Sequence, residues 1–252
     1  MARDTVFVFT RAPRLGRVKR RLARQIGDRA ALRFHIATQH RLVRELARDR
    51  RFRTVLATTG GHIPGLRGVP RVAQGQGDLG TRMGRVLALA RRAVIVGSDI
   101  PRAGAADIRA AFAALGQADA VFGPAEDGGY WLVGFGPRRV ARPFAGVRWS
   151  TEHTLADTLA NFAGRKVGRI RTLGDVDTAE DYRTECSFLK KKNQKTFVPL
   201  MRRRYSAAFR CSCNLGISST RLQGRCRLSS CQTRMSSHPS FTAPVLPGSA
   251  NR

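Results

Sequence analysis

The chain has 252 residues, 42% apolar and 7% aromatic, and a formal charge of +29. That length can bury a sizeable core in one α/β domain or two small ones, and no apolar run approaches the roughly 18 residues of a membrane span. The N-terminus lacks a long apolar stretch and a small-residue cleavage site, so a cytoplasmic protein is expected.

TVFVFT (5–10) has the β-branched and aromatic content of a buried strand. Residues 18–47 carry helical spacing, interrupted around Gly27-Asp28. FRTVLAT (52–58) is predicted as a second strand and GVPRVA as a short third, followed by a helix from Leu79 to Ala90. AVIVG (93–97) reads as a fully buried strand and residues 104–115 as an alanine-rich helix. ADAVFG and YWLVGF are strands on either side of an acidic double-glycine elbow, Glu126-Asp127-Gly128-Gly129. Ser150 or Thr151 can cap a helix reaching Asn161, and VGRIRTL leads to a last helix at 178–184. Strands alternating with helices predict an α/β fold, a largely parallel sheet with helices on both faces. Ligands of such sheets bind beyond the carboxyl ends of the strands, so the strand-end loops are where chemistry is expected.

Four of those loops carry suitable residues. TRAPRLGRVKRRLA crowds Arg11, Arg14, Arg17, Lys19, Arg20 and Arg21 around a turn shaped by Pro13 and Gly16, just as a helix begins. Backbone N–H groups at a helix start, backed by Lys and Arg, suit a phosphate. AVIVGSDIP puts Asp99 at the tip of a buried strand, where a carboxylate can hold a divalent cation, Mg2+ or Mn2+. In the elbow, glycines permit close backbone approach to a ligand and Asp127 is a candidate general base, although Asp-Gly is also a hairpin-turn signal. LGDVDTAEDY offers Asp175 and Asp177; Asp177 with Glu180 fits a capping box, and Asp177 is also a candidate metal ligand.

GQGDLG (75–80) fits a dinucleotide-binding fingerprint, but the proline in the segment before it argues against a central strand. A loop placing Asp78 and Arg82 near a nucleotide is the preferred reading. All five cysteines (186, 211, 213, 226 and 231) lie at or beyond a change in composition, without paired zinc-ligand spacing. Residues 187–252 hold 13 of the 46 basic side chains and no acidic one, which leaves residues 1–186 with 33 basic against 17 acidic groups, or +16. Two domains are therefore expected: a folded unit, 1–186, and a basic Ser/Cys-rich tail, 187–252, disordered or out of reading frame.

Taken in order, FTRAPRLGRVKRRLA, QGDLGTRM, VGSDIP, GPAEDGGYWLVGF, VRWST and DVDTAEDY resemble a bacterial glycosyltransferase-like family once catalogued as a domain of unknown function, the radical-SAM/selenodomain-associated transferase 1 group. The resemblance spans residues 5 to about 184. It implies a GT-A-type nucleotide-diphospho-sugar transferase fold, similar to the guanylyltransferases of molybdenum-cofactor and phospholactate metabolism. It also implies that Lys19 and Arg21 meet phosphates, that Asp99 sits at the metal position, and that Asp127, Gly128, Gly129 and Tyr130 line the acceptor side. Arg11 and Arg20 depart from the Lys and Thr usual there.

The expected function is a metal-dependent transferase. Its nucleotide-diphospho-sugar donor would be held by Arg11, Pro13, Gly16, Lys19, Arg21, Asp78 and Arg82, with a cation on Asp99 and Asp177. Lys19 and Arg21 would neutralise leaving-group charge. A small acceptor would dock on Glu126, Gly128, Gly129 and Tyr130, and Asp127 would act as base. A nucleotidyltransferase of guanylyl or cytidylyl type, releasing pyrophosphate, is the rival on the same fold. A basic nucleic-acid-binding protein is the rival of another class, with nonspecific polyanion binding expected through the tail.

Overall fold

The computed structural model describes residues 3–61 and 63–192, with side chains described to Glu185. Seven strands form one sheet: β1 (Thr5–Arg11), β2 (Arg53–Thr59), β3 (Arg71–Ala73), β4 (Ala93–Gly97), β5 (Ala120–Pro124), β6 (Tyr130–Phe135) and β7 (Val167–Arg169). Their order across the sheet is β3-β2-β1-β4-β6-β5-β7. β1 is parallel to β2 and β4, β2 to β3, and β5 to β7, whereas β6 runs antiparallel to both neighbours. The sheet is thus mostly parallel, as expected, with one reversed strand. The reversal follows from the short elbow: five residues between β5 and β6 can close a hairpin but cannot make the crossover that a parallel pair requires.

Period-two alternation in β1 decides which side each residue covers. Val6 and Val8 pack with Leu42, Val43 and Leu46 of α2 (Asp28–Arg48) and with Ile108, Ala111 and Phe112 of α4 (Ala105–Ala114). Phe7 and Phe9 turn to the opposite face, toward Met83, Val86 and Leu87 of α3 (Leu79–Leu87) and toward Leu155 and Leu159 of α5 (Thr154–Ala160). Helices therefore cover both faces. A smaller cluster joins α1 (Arg20–Ile26) to the chain just before α6 (Ala179–Lys192), through Leu22, Ala31, Phe34 and Val176. Tyr182 of α6 meets Phe34 edge-on, at 5.3 Å between ring centroids.

Several local expectations change. The helix expected from residue 18 starts at Arg20, because Lys19 takes left-handed backbone angles (φ 45°, ψ 50°) and cannot continue a right-handed turn. α1 is one short piece and offers no extended N-terminal anion site. Helix α5 is preceded by His153 rather than capped by Ser150 or Thr151. The last helix runs from Ala179 to Lys192, past the expected stop at 184 and past the expected boundary at 186/187. The rest of the tail, and the cysteine side chains with it, lie outside the described residues. Among the described residues no helix is long and apolar enough to cross a membrane.

Candidate functional site

Beyond the carboxyl ends of β1 and β4 lies a cleft of about 380 Å³, lined among others by Thr10, Arg11, Arg17, Lys19, His35, Gln74, Arg82, Ser98, Asp99, Asp175 and Asp177. Its floor is tied together by side chains. Thr10 and Ser98 share a 2.8 Å hydroxyl–hydroxyl hydrogen bond that joins the ends of β1 and β4. Gln39 Nε2, from α2, donates to the Thr10 hydroxyl. Gln74 is buried with its Nε2 donating to the carbonyls of Thr10 (3.1 Å) and Ala57 (2.9 Å), while its Oε1 accepts from Arg82 Nη1 at 3.0 Å. Arg82 is thereby fixed at the cleft wall.

At the centre sits Lys19. Its Nζ lies 3.0 Å from Asp99 Oδ2, 3.5 Å from Asp175 Oδ2 and 3.0 Å from Asp177 Oδ1, and its side chain is only 6% exposed. The sequence arranges this by alternation: Val176 enters the core while its neighbours Asp175 and Asp177 turn to the cleft. Arg21, largely exposed, adds a 3.5 Å contact to Asp177 Oδ2. Burial disfavours the Lys19 ammonium, but Asp99, Asp175 and Asp177 outweigh it and hold its pKa above the usual lysine value. Burial works the other way on Asp99, and attraction to Lys19 overcomes it, so that carboxyl is lowered. Asp175 is pushed up to about 6 by burial, then by Asp177 and Asp99, with Lys19 opposing. His35 is buried, 6% exposed, and the Arg11 carbonyl engages one of its ring nitrogens at most, leaving the other without a hydrogen-bond partner. Burial depresses its pKa, offset in part by the Arg11 carbonyl and Asp99, so the neutral imidazole is favoured.

The elbow is the turn of the β5–β6 hairpin. Asp127 Oδ1 accepts the Gly129 N–H at 2.9 Å, and Asp127 is not among the residues lining the cleft. The expected convergence of Lys19, Asp99 and Asp127 is therefore met by the first two and not by the third. Tyr130 also departs from an acceptor-facing position: its ring packs on Phe122, 5.4 Å between centroids, and its hydroxyl is buried, which raises its pKa. Gly128 and Gly129 serve the turn, Gly128 lying against the Glu152 backbone. Glu126, also outside the lining, lies against the chain just before Asp175: a Cβ on Gly174 would stand 2.6 Å from its Oε2.

Other expected residues take structural roles. Asp78 caps α3, its Oδ1 accepting Thr81 N–H at 2.7 Å. Asp177 does not cap α6; Asp181 accepts the N–H groups of Asp177 (3.2 Å) and Thr178 (2.9 Å), while Thr178 Oγ1 accepts that of Asp181. Pro13, Gly16 and Arg21 lie outside the lining, whereas Arg11, Lys19, Arg82, Asp99 and Asp177 belong to it. Thr10, His35, Gln74 and Ser98 were not anticipated as site residues, whereas Arg17 of the basic loop lines the cleft. His35 and Gln39, one turn apart on a buried helix face, carry no motif; only their polarity among apolar neighbours marks them.

The three aspartates present hard oxygen ligands, and against the Lys19 ammonium and the Arg21 guanidinium they keep a formal charge of −1. That donor set fits Mg2+ or Mn2+ in chemistry and charge. As the residues stand the centre belongs to Lys19 Nζ, and among the described residues no group of three or more His, Cys, Asp or Glu forms a ready metal site.

The chain belongs to the family described as uncharacterized protein conserved in bacteria (DUF2064), which matches residues 23–151, just over half of its length. A provisionally named nucleotide-diphospho-sugar transferase from Desulfovibrio desulfuricans G20 superposes with a TM-score of 0.69 at 26% identity, covering 81% of this chain and 91% of that one. The manganese complex of Rv0371c from Mycobacterium tuberculosis H37Rv aligns at TM-score 0.46 and 18% identity, over 73% and 98% of the two chains. The 4-diphosphocytidyl-2C-methyl-D-erythritol synthase of Anaerococcus prevotii DSM 20548 aligns at 0.48 and 11%, over 75% and 99%. No curated protein matches the chain. The fold is that of the nucleotide-diphospho-sugar transferases: a mostly parallel mixed sheet between helices, with its cleft where that architecture puts ligands.

Proposed function

We propose that this DUF2064 member is a transferase acting on a nucleotide-diphospho-sugar, passing the sugar to a small acceptor. The observation that carries the reading is the meeting of Lys19 with Asp99, Asp175 and Asp177 in a cleft otherwise rimmed by Arg11, Arg17 and Arg82. Carboxylates for a cation beside guanidinium groups for phosphate oxygens are what a diphosphate requires. The likeness to the Desulfovibrio protein supports the same substrate class.

Arg11, Arg17 and Arg82 would hold the diphosphate, with Arg82 kept in place by Gln74. Asp99 and Asp177, with Asp175, would hold Mg2+ or Mn2+, an ion that neutralises diphosphate charge when bound. Lys19 would neutralise the developing negative charge, while Arg21 would act from the rim through Asp177. Glu126 and the Gly128–Gly129 turn would meet the acceptor. Asp127 spends an oxygen on its own turn, and the base role finds no support in that geometry.

Incubating the full chain with a panel of nucleotide-sugars and Mn2+ should release a nucleoside diphosphate, or raise the melting temperature with the matching donor. Neither turnover nor protection across the panel would refute the reading. Pyrophosphate release from GTP or CTP in the presence of an acceptor phosphate would instead identify a nucleotidyltransferase.

A further inference from the structure

We propose that Lys19 is a tethered counter-cation: its ammonium holds the centre that a divalent cation would take among Asp99, Asp175 and Asp177, and cation binding releases it toward the anion side of the cleft. The inference builds on the metal-dependent reading above and adds an exchange between two tenants of one site.

The geometry makes sharing difficult. All three carboxylate oxygens lie 3.0–3.5 Å from Nζ. Mg2+ needs oxygens at roughly 2.1 Å, so an ion bound by this set would lie no more than about 5 Å from the ammonium. At that distance two cations repel strongly in a partly desolvated site. The three carboxylates exceed Lys19 and Arg21 together by one formal charge, and a divalent ion in place of the ammonium closes that gap. His35 is a second, separate observation: it is 6% exposed, lines the same cleft, and the Arg11 carbonyl engages one ring nitrogen at most, leaving the other without a partner. A buried ring nitrogen without a partner is costly unless something in the cleft completes it. Lys19 also holds a left-handed backbone (φ 45°), a strained conformation of the kind retained at switching positions. Once displaced, its ammonium has Arg11, Arg17 and Arg82 as neighbours in the lining and joins them as a phosphate-binding group.

The test uses Mn2+ alone, without nucleotide, on the full chain. Free Mn2+ measured by electron paramagnetic resonance should show Lys19→Met binding at least tenfold more tightly than the natural chain, and Asp99→Asn should abolish the difference. Equal or weaker binding by Lys19→Met, or a gain that survives Asp99→Asn, overturns the proposal. A second measurement needs no variant. Lys19 and Lys166 are the two lysines of residues 1–189, so amine labelling can be read at Lys19 against Lys166 by peptide mass spectrometry. Saturating Mg2+ should raise the relative labelling of Lys19 several-fold, and an unchanged or reduced rate overturns the exchange. Neither readout involves a nucleotide-sugar, so a failed donor panel and a failed exchange are distinguishable.

Discussion

Gly128→Ala tests whether the elbow is held by backbone contact with the 148–155 segment. Gly128 has φ 82°, and a Cβ there would lie 2.2 Å from Glu152 O and 2.6 Å from Glu152 Cα. Those are backbone atoms, so no side-chain rotation relieves the clash. Gly146 is the control: it has φ 67° and nothing within 4 Å of an added Cβ. Gly146→Ala should cost only the left-handed backbone penalty, about 1 kcal/mol. Gly128→Ala adds overpacking of about 1–3 kcal/mol and endangers the 3.0 Å bond from Leu155 N to Gly128 O. For a folded unit of about 150–250 residues, 1 kcal/mol lowers Tm by roughly 2–4 °C. The expected losses are therefore about 2–4 °C for Gly146→Ala and on the order of 5–15 °C for Gly128→Ala. The chain's two tryptophans, Trp131 and Trp149, flank the contact, so thermal melts followed by fluorescence report on it directly. Equal losses in the two variants would refute the docking argument.

Three further outcomes follow from the cleft and its supports. Asp175 titrates near 6 when folded, above its unfolded value of about 3.9, so its charge penalises the fold as pH rises through that window. Asp175→Asn should raise Tm at pH 7.5 in the presence of a chelator and leave it nearly unchanged at pH 4; equal gains at both would contradict the assigned cause. Thr10→Val leaves Ser98 Oγ and Gln39 Nε2 without their shared partner and should lower stability by about 1–3 kcal/mol in urea titrations, whereas no loss would show that the bond contributes nothing. Asp107 is buried and takes Arg171 at 2.6 and 2.9 Å, anchoring the strand end that leads to Asp175. Asp107→Asn should cost about 1–2 kcal/mol, discounted because Arg171 is 56% exposed, with the m-value unchanged.

Local patterns in the sequence determined the elements themselves. The alternation in TVFVFT, the continuous apolar run AVIVG and the break at Gly27-Asp28 place β1, β4 and the α1–α2 junction within a residue or two, because side-chain period and glycine freedom are properties of neighbouring residues. The same reading put Asp99 and Asp177 at strand ends and hence in the cleft. Local pattern says little about how loops meet. Asp127 carried a strong elbow signal, yet its carboxylate closes its own turn, since an Asp-Gly hairpin satisfies a local donor at no cost in chain ordering. The reversal of β6 was set by the length of that turn. Lys19 and Asp177 are 158 residues apart along the chain, and only packing of Val176 against Leu22 and Phe34 brings them to 3.0 Å. Charge and motif made both residues candidates. That they neutralise each other at one point is decided by the tertiary structure, because the position of an ion pair depends on the long-range packing that carries its two backbones.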